Sequence, residues 1–149
     1  MRGRAAAALL VTLLALALAG QTMRWRHRAM ASRLLRQVEL VSDAAYRYGQ
    51  APPQLMMENL EALRRAAPFD PAEVGIPIAR GTQYLFLARP EAALRAYEEA
   101  LALEPRPEGY LSLGRAQWLA GRREEARRSF ELAVRLDPTL ANQIPLTAR

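Results

Sequence analysis

From Tyr110 onward the chain repeats a spacing that it has already used once. Tyr110-x2-Leu113-Gly114 is followed by Ala126-x3-Phe130 and then by Ala133, Leu136, Asp137 and Pro138. Thirty-three residues earlier the same frame gives Gly81 with Tyr84, Ala93-x3-Tyr97, Ala100, Leu103 and Pro105. Two copies in phase make the period a property of the fold, and a period in this range belongs to architectures built from stacked supersecondary units. Small residues (Gly114, Ala126, Ala133) stand where antiparallel helices must approach closely, and large ones (Tyr110, Leu113, Phe130, Leu136) where the seam needs filling. Pro105 and Pro138 close each unit, and Gly121 ends the first helix of the downstream copy. The upstream copy departs in three places: Pro77 and Arg80 replace an aromatic and a leucine, and Ala88 stands where the turn glycine is expected. One further step of 34 residues from Pro105 lands on Pro71, preceded by Asp70, with Ala66 and Leu63 in register.

This pattern closely resembles the tetratricopeptide repeat, whose signature is W-x2-L-G-x2-Y, then A-x3-F, then P over 34 residues. Gln117 departs from the expected aromatic, with Trp118 beside it. The resemblance covers residues 40–140 and is strongest from 74 onward. It implies an all-α solenoid of helical hairpins that works by binding another protein, with a peptide or helix laid along the concave surface of the first helices of each repeat. Carried over residue by residue, that surface comprises Ile78, Thr82, Leu85 and Phe86 in one repeat and Leu111, Arg115, Trp118 and Leu119 in the next. Trp and Arg are the types that most often anchor interfaces, which puts Trp118 and Arg115 first. The competing reading is that the neighbouring helix, over residues 29–48, covers Leu85, Phe86 and Leu119.

Upstream of the repeats the pattern is amphipathic. Leu34, Val38, Val41, Ala45 and Tyr48 recur at helical spacing until Gly49, Pro52 and Pro53, and Leu55, Met56, Leu60 and Leu63 form the next stripe until Pro68. No stretch alternates with β-branched enrichment, so no sheet is expected.

The first segment is apolar from Ala5 to Ala19 except for Thr12, and Gly20 to Met23 extend it to Arg24. As a helix these residues rise about 28 Å, barely enough for a hydrocarbon core. Arg2 and Arg4 before it and Ala17-Leu18-Ala19 ahead of Gly20 also fit a secretory signal cleaved after Ala19. Arg24, Trp25, Arg26 and Arg28 suit a membrane interface and lipid headgroups, which favours a retained anchor. The expected organisation is a hydrophobic anchor or signal at 1–23, a basic juxtamembrane amphipathic helix at 24–52, a degenerate repeat helix at 53–73, two repeats at 74–140 and a cap or tail at 141–149. In that cap Leu140 and Ile144 form a short helix that Pro145 ends.

Charge sorts the partners. Residues 1–50 hold eight arginines against Glu39 and Asp43, whereas residues 51–149 hold 13 arginines against 13 carboxylates. The excess flanks the apolar segment and the repeat half is neutral, which argues against nucleic acid. All 21 basic residues are arginine, a bias that reads as a GC-rich bacterial coding sequence, and cysteine is absent. No metal site, cofactor or catalytic set is expected: His27 has no partner near in sequence, Asp70 and Asp137 precede prolines as turn formers, and the serines lack an activating base.

The function expected is therefore a non-catalytic, membrane-tethered protein-interaction scaffold, an adaptor or accessory subunit of a membrane complex. Its expected place is a bacterial inner membrane, single-pass, with the repeats on the periplasmic side. A soluble periplasmic binding protein released after Ala19 is the alternative, and an accessory part of a multi-chain enzyme a remote one.

Overall fold

The computed structural model describes residues 2–49 and 51–145, with side chains from Leu10 onward. Among the described residues six α-helices follow one another: α1 (Arg2–Tyr48), α2 (Pro53–Ala66), α3 (Gly75–Phe86), α4 (Pro90–Leu103), α5 (Pro107–Leu119) and α6 (Arg123–Leu136). A short 3-10 turn, Ala67–Phe69, follows α2, and another, Pro138–Gln143, follows α6. Among the described residues every regular element is helical. Proline begins α2, α4 and α5, where its missing N–H belongs to the unpaired first turn and its φ suits the helix.

Each hairpin is closed by a defined turn. Gly121 takes φ 79°, so its N–H donates to Trp118 O at 3.1 Å and that of Arg122 to Gln117 O at 2.9 Å. These bonds satisfy carbonyls that the end of α5 leaves open. Ala88 builds the same turn between α3 and α4 with φ 53°, its N–H donating to Leu85 O at 3.0 Å and that of Arg89 to Tyr84 O at 2.8 Å. The absent glycine has not changed the turn; an alanine holds the left-handed conformation instead.

Three apolar clusters stand in series, one to each hairpin. Ala31, Leu35 and Val38 of α1 pack with Leu63, Ala66, Ile76 and Ala79. Ala93, Leu94 and Tyr97 pack with Leu113 and Ala116. Leu111, Ala126, Phe130 and Ala133 close on Leu140 of the final 3-10 turn, with Ile144 against them. The repeat period has a direct steric meaning here. A Cβ on Gly81 would lie 2.6 Å from Tyr97 Cε1, and one on Gly114 2.6 Å from Phe130 Cε1, so in each hairpin the aromatic ring lies against a backbone.

A buried polar link ties the first hairpin to the second. Gln83 is fully buried; its Oε1 accepts from Asn59 Nδ2 at 3.0 Å, and its Nε2 donates to Ser42 Oγ at 2.8 Å and to Ala79 O at 3.3 Å. Ser42 Oγ in turn donates to Val38 O at 2.7 Å. Three helices thus meet at one amide. Between α5 and α6, buried Ser129 Oγ donates to Gln117 Oε1 at 2.7 Å.

α1 runs unbroken across residue 23, where the sequence reading divides an anchor or signal from an amphipathic helix: no proline intervenes and the single Gly20 costs only about 1 kcal/mol in a helix interior. What the structure does not support is the spanning helix. Among the described residues no helix is long and apolar enough to cross a membrane. The apolar part with described side chains, Leu10 to Met23, rises only about 21 Å against a core of about 30 Å. The side chains of Ala5 to Leu9, which the sequence reading counts in the apolar run, lie outside the described residues. Tyr48 is also not on the buried face: it is 79% exposed, and the stripe that packs is Ala31, Leu35, Val38 and Ala45.

Candidate partner-binding groove

α1, α3 and α5 present side chains to one side of the solenoid, and between them runs an apolar groove of about 390 Å³. α3 contributes Thr82, Leu85 and Phe86; α5 contributes Ser112, Arg115, Trp118 and Leu119. Tyr46 from the end of α1 and Pro145 beyond the final 3-10 turn complete the rim, and Tyr97 reaches in from α4. Helical spacing explains the set, since residues three and four apart share a face.

Its large side chains keep part of their surface free, although Leu85 and Trp118 also pack against the core. Leu119 is 63% exposed and Tyr46 78%, while Leu85, Phe86 and Trp118 are partly buried. Arg123 places its guanidinium over the Trp118 ring, 3.5 Å from the centroid, a cation–π contact that fixes the ring plane. Arg115 Nη2 donates to Gln143 O at 3.1 Å and so ties α5 to the cap. Thr82 Oγ donates to Ile78 O at 3.2 Å and lies 3.3 Å from Tyr97 OH. Burial pushes the Tyr97 phenol up from its ordinary value, against the opposing effects of the Thr82 hydrogen bond and the Arg115 charge. The groove therefore meets a ligand with a neutral hydroxyl pair, one cation and a broad apolar surface.

Six of the eight residues assigned to the groove from sequence meet in it: Thr82, Leu85, Phe86, Arg115, Trp118 and Leu119. Ile78 lies one turn along α3, in an adjoining depression that shares Thr82. Leu111 does not belong. It shares the stripe of Arg115 and Trp118 but is 3% exposed, packed in the α5–α6 core with Phe130 and Leu140. Counting back three residues from Arg115 would have found Ser112. Nothing in the sequence pointed to Pro145, and Tyr46 carried only the weak signal of an exposed aromatic. α1 borders the groove without covering it.

At the other end of α1, Arg24, Trp25, Arg26 and Arg28 are all exposed, Trp25 to 73%. Arg28 Nε lies 3.7 Å from Asp70 Oδ2, and the His27 ring meets Phe69 at a 52° tilt, 5.2 Å between centroids, while staying exposed to solvent. Among the described residues no cluster of three His, Cys, Asp or Glu side chains could hold a metal ion.

Residues 107–140, which are α5, α6 and the start of the cap, match the family model of the tetratricopeptide repeat. The fold is a tetratricopeptide-repeat fold. Similar solved structures include the first tetratricopeptide domain of the human RPAP3 protein, at 21% identity over 74% of this chain and 81% of that one, with a TM-score of 0.63. The second such domain of Spaghetti (RPAP3), bound to the HSP90 peptide SRMEEVD, is 19% identical over 75% of this chain and 96% of that one (TM-score 0.62). The thermophilic tetratricopeptide protein TTC0263 of Thermus thermophilus is 23% identical over 85% of this chain and 70% of that one (TM-score 0.63). No curated protein matches the chain. Tetratricopeptide folds mediate protein–protein interaction and are typically non-catalytic scaffolds.

Proposed function

We propose that this protein is a non-catalytic, membrane-tethered interaction scaffold that holds a segment of a partner protein in the groove between α1, α3 and α5. The observation that carries the reading is the groove: three helices converge on large apolar side chains whose surface the core leaves partly or wholly open. The Spaghetti domain of the same fold takes a short peptide of a chaperone, which supports a peptide as occupant. Contiguous exposed apolar surface of this kind marks interaction sites.

The tether rests on a second observation. Leu10, Val11, Leu13, Leu14, Leu16 and Leu18 are each more than half exposed, on all sides of α1, and the cores of the fold begin only at Ala31. Ala5 to Leu9 lengthen that stretch in the sequence, and Trp25 with its flanking arginines supplies an interface anchor. On this reading the protein is an accessory subunit or adaptor of a membrane complex, single-pass in a bacterial inner membrane with its repeats on the periplasmic side.

A pull-down from native membranes in mild detergent tests both parts, with mass spectrometry of the captured proteins and of the bait's amino terminus. The expected result is a bait that still carries Leu10–Leu18 and brings down a defined complex, and a Trp118→Ala bait that keeps its helicity by circular dichroism but loses the complex. A soluble bait beginning at Gly20 would replace the tether with a cleaved signal. Capture indifferent to Trp118→Ala would remove the groove from the function.

A further inference from the structure

The apolar groove does not end at Thr82. That side chain also lines the adjoining depression of about 390 Å³, whose other walls include Glu39 and Asp43 of α1 and Glu73 from the loop before α3. Asp43 precedes Tyr46 by one turn of α1, so the acidic depression and the apolar groove follow one another along the same helices. Glu73 Oε1 accepts from Gly75 N at 3.1 Å, while neither Glu39 nor Asp43 has an ion pair within the described residues. The nearby cations offset the three only in part. Arg36, one turn before Glu39, is exposed to solvent, and Arg106 at the rim feels the charge of Glu73 but donates to Glu104 Oε2 at 2.6 Å. Burial and the charges of Glu73 and Asp43 raise the Glu39 carboxyl above its ordinary value, despite the opposing effect of Arg36. The lining of the depression thus holds three carboxylates against one arginine at one end of an apolar groove.

We infer that this concave surface selects a partner protein segment in which a basic side chain accompanies apolar ones, the apolar residues seated against Phe86, Trp118 and Leu119 and the Arg or Lys set among Glu39, Asp43 and Glu73. This rests on the groove being the partner-binding site. Acidic side chains alone would be an ordinary solvated face. Their continuity with a groove that offers accessible Leu119 and partly open Phe86 and Trp118 makes them part of one recognition surface, and charge complementarity fixes the sign of what fits. A lipid headgroup or nucleic-acid phosphate would be repelled at that end. The occupant is accordingly a polypeptide, and of opposite charge to the acidic peptide held by the Spaghetti domain.

The test is a scan with synthetic octapeptides on the full chain in mild detergent, read by fluorescence polarisation. Each peptide carries one Phe-Leu pair in a Gly/Ser background, with Arg, Gln or Glu at each other position in turn. The best Arg peptide should bind about fivefold more tightly than its Gln counterpart, and the Glu peptide more weakly than either, a ratio set by two or three partly screened ion pairs. The Glu39→Gln/Asp43→Asn double variant should erase the Arg-over-Gln advantage, and in the parent raising salt from about 0.1 M to about 0.5 M should shrink it. Trp118→Ala should weaken all three. Equal binding of Arg and Glu peptides, or an Arg advantage that survives the double variant, would overturn the inference while the groove stands. Binding indifferent to Trp118→Ala would overturn both. So would a dimer by sedimentation that Leu119→Ser dissolves and peptides do not displace, since the groove would then belong to a second copy.

Discussion

Gln83 offers a quantitative test of how the hairpins are joined. In Gln83→Leu the side chain keeps nearly its volume, so little cavity forms, but both of its cross-helix partners are affected. Asn59, only 5% exposed, is left with an amide donor that has no acceptor, a loss of about 1–3 kcal/mol. Ser42 suffers less, because its hydroxyl still donates to Val38 O and it sits in a half-buried place; about 0.5 kcal/mol is appropriate there. The sum is roughly 1.5–3.5 kcal/mol. With a urea m-value of about 1–2 kcal/mol/M, the unfolding midpoint should fall by about 1–3 M, followed by far-UV circular dichroism with mild detergent covering the apolar stretch of α1. The decisive arm is Asn59→Leu/Gln83→Leu. Replacing both partners by apolar groups removes the orphaned donor, so the double variant should be less damaged than the two singles predict, with a coupling of about 1–2 kcal/mol. A single variant costing under about 0.5 kcal/mol, or strictly additive effects, would refute the claim that this amide pins α1, α2 and α3 together.

Three further outcomes follow from the same geometry. Gly114→Leu should abolish the cooperative thermal transition or, with a stability loss of over about 2 kcal/mol, lower the melting temperature sharply, because even a Cβ would meet Phe130 at 2.6 Å and the ring is 2% exposed; an unchanged melt would sink the repeat register. Ala88→Gly should stabilise by about 1 kcal/mol, since it removes the left-handed strain of φ 53°, and a loss of stability in the same urea titration would contradict that. Glu39→Gln should raise the melting temperature at neutral pH and have no effect in acid. The folded-state pKa of Glu39 lies above its unfolded value, so the group's favourable contribution is complete below the unfolded pKa and is lost as pH rises through the folded one. A variant less stable than the parent at neutral pH would show that sign to be wrong.

The sequence reveals the repeats because close packing leaves a periodic record. Gly81 with Tyr97 and Gly114 with Phe130 occupy matched places, since a ring laid on a backbone admits no side chain between them. The groove was legible to the same extent, through helical spacing on α3 and α5, and failed at Leu111, which shares the stripe of Arg115 and Trp118 but is covered by α6 and Leu140, contacts that no pattern along α5 reveals. The polar links were invisible. Asn59, Gln83 and Ser42 are polar residues inside apolar stripes, and no pattern along one helix reveals that three of them converge. α1 misled for a related reason: its apolar residues surround the axis, so they do not say which stripe packs, and Leu35 was passed over for Tyr48. Ala88 shows a turn surviving without its usual residue, because the flanking helices fix its conformation.

The continuity of α1 has a mechanical consequence. From Trp25 to Tyr46 the helix runs unbroken for about 31 Å, and its middle is gripped by the first apolar cluster and by the Gln83 link. No linker lies between the exposed apolar end and the groove, so the two are parts of one stiff rod. Whatever holds the first end sets both the height and the bearing at which the groove is presented. A partner segment can then be met only at a fixed stand-off, and inserting or deleting a few residues between Met30 and Ala31 would swing the groove about 100° per residue around the rod as well as moving it.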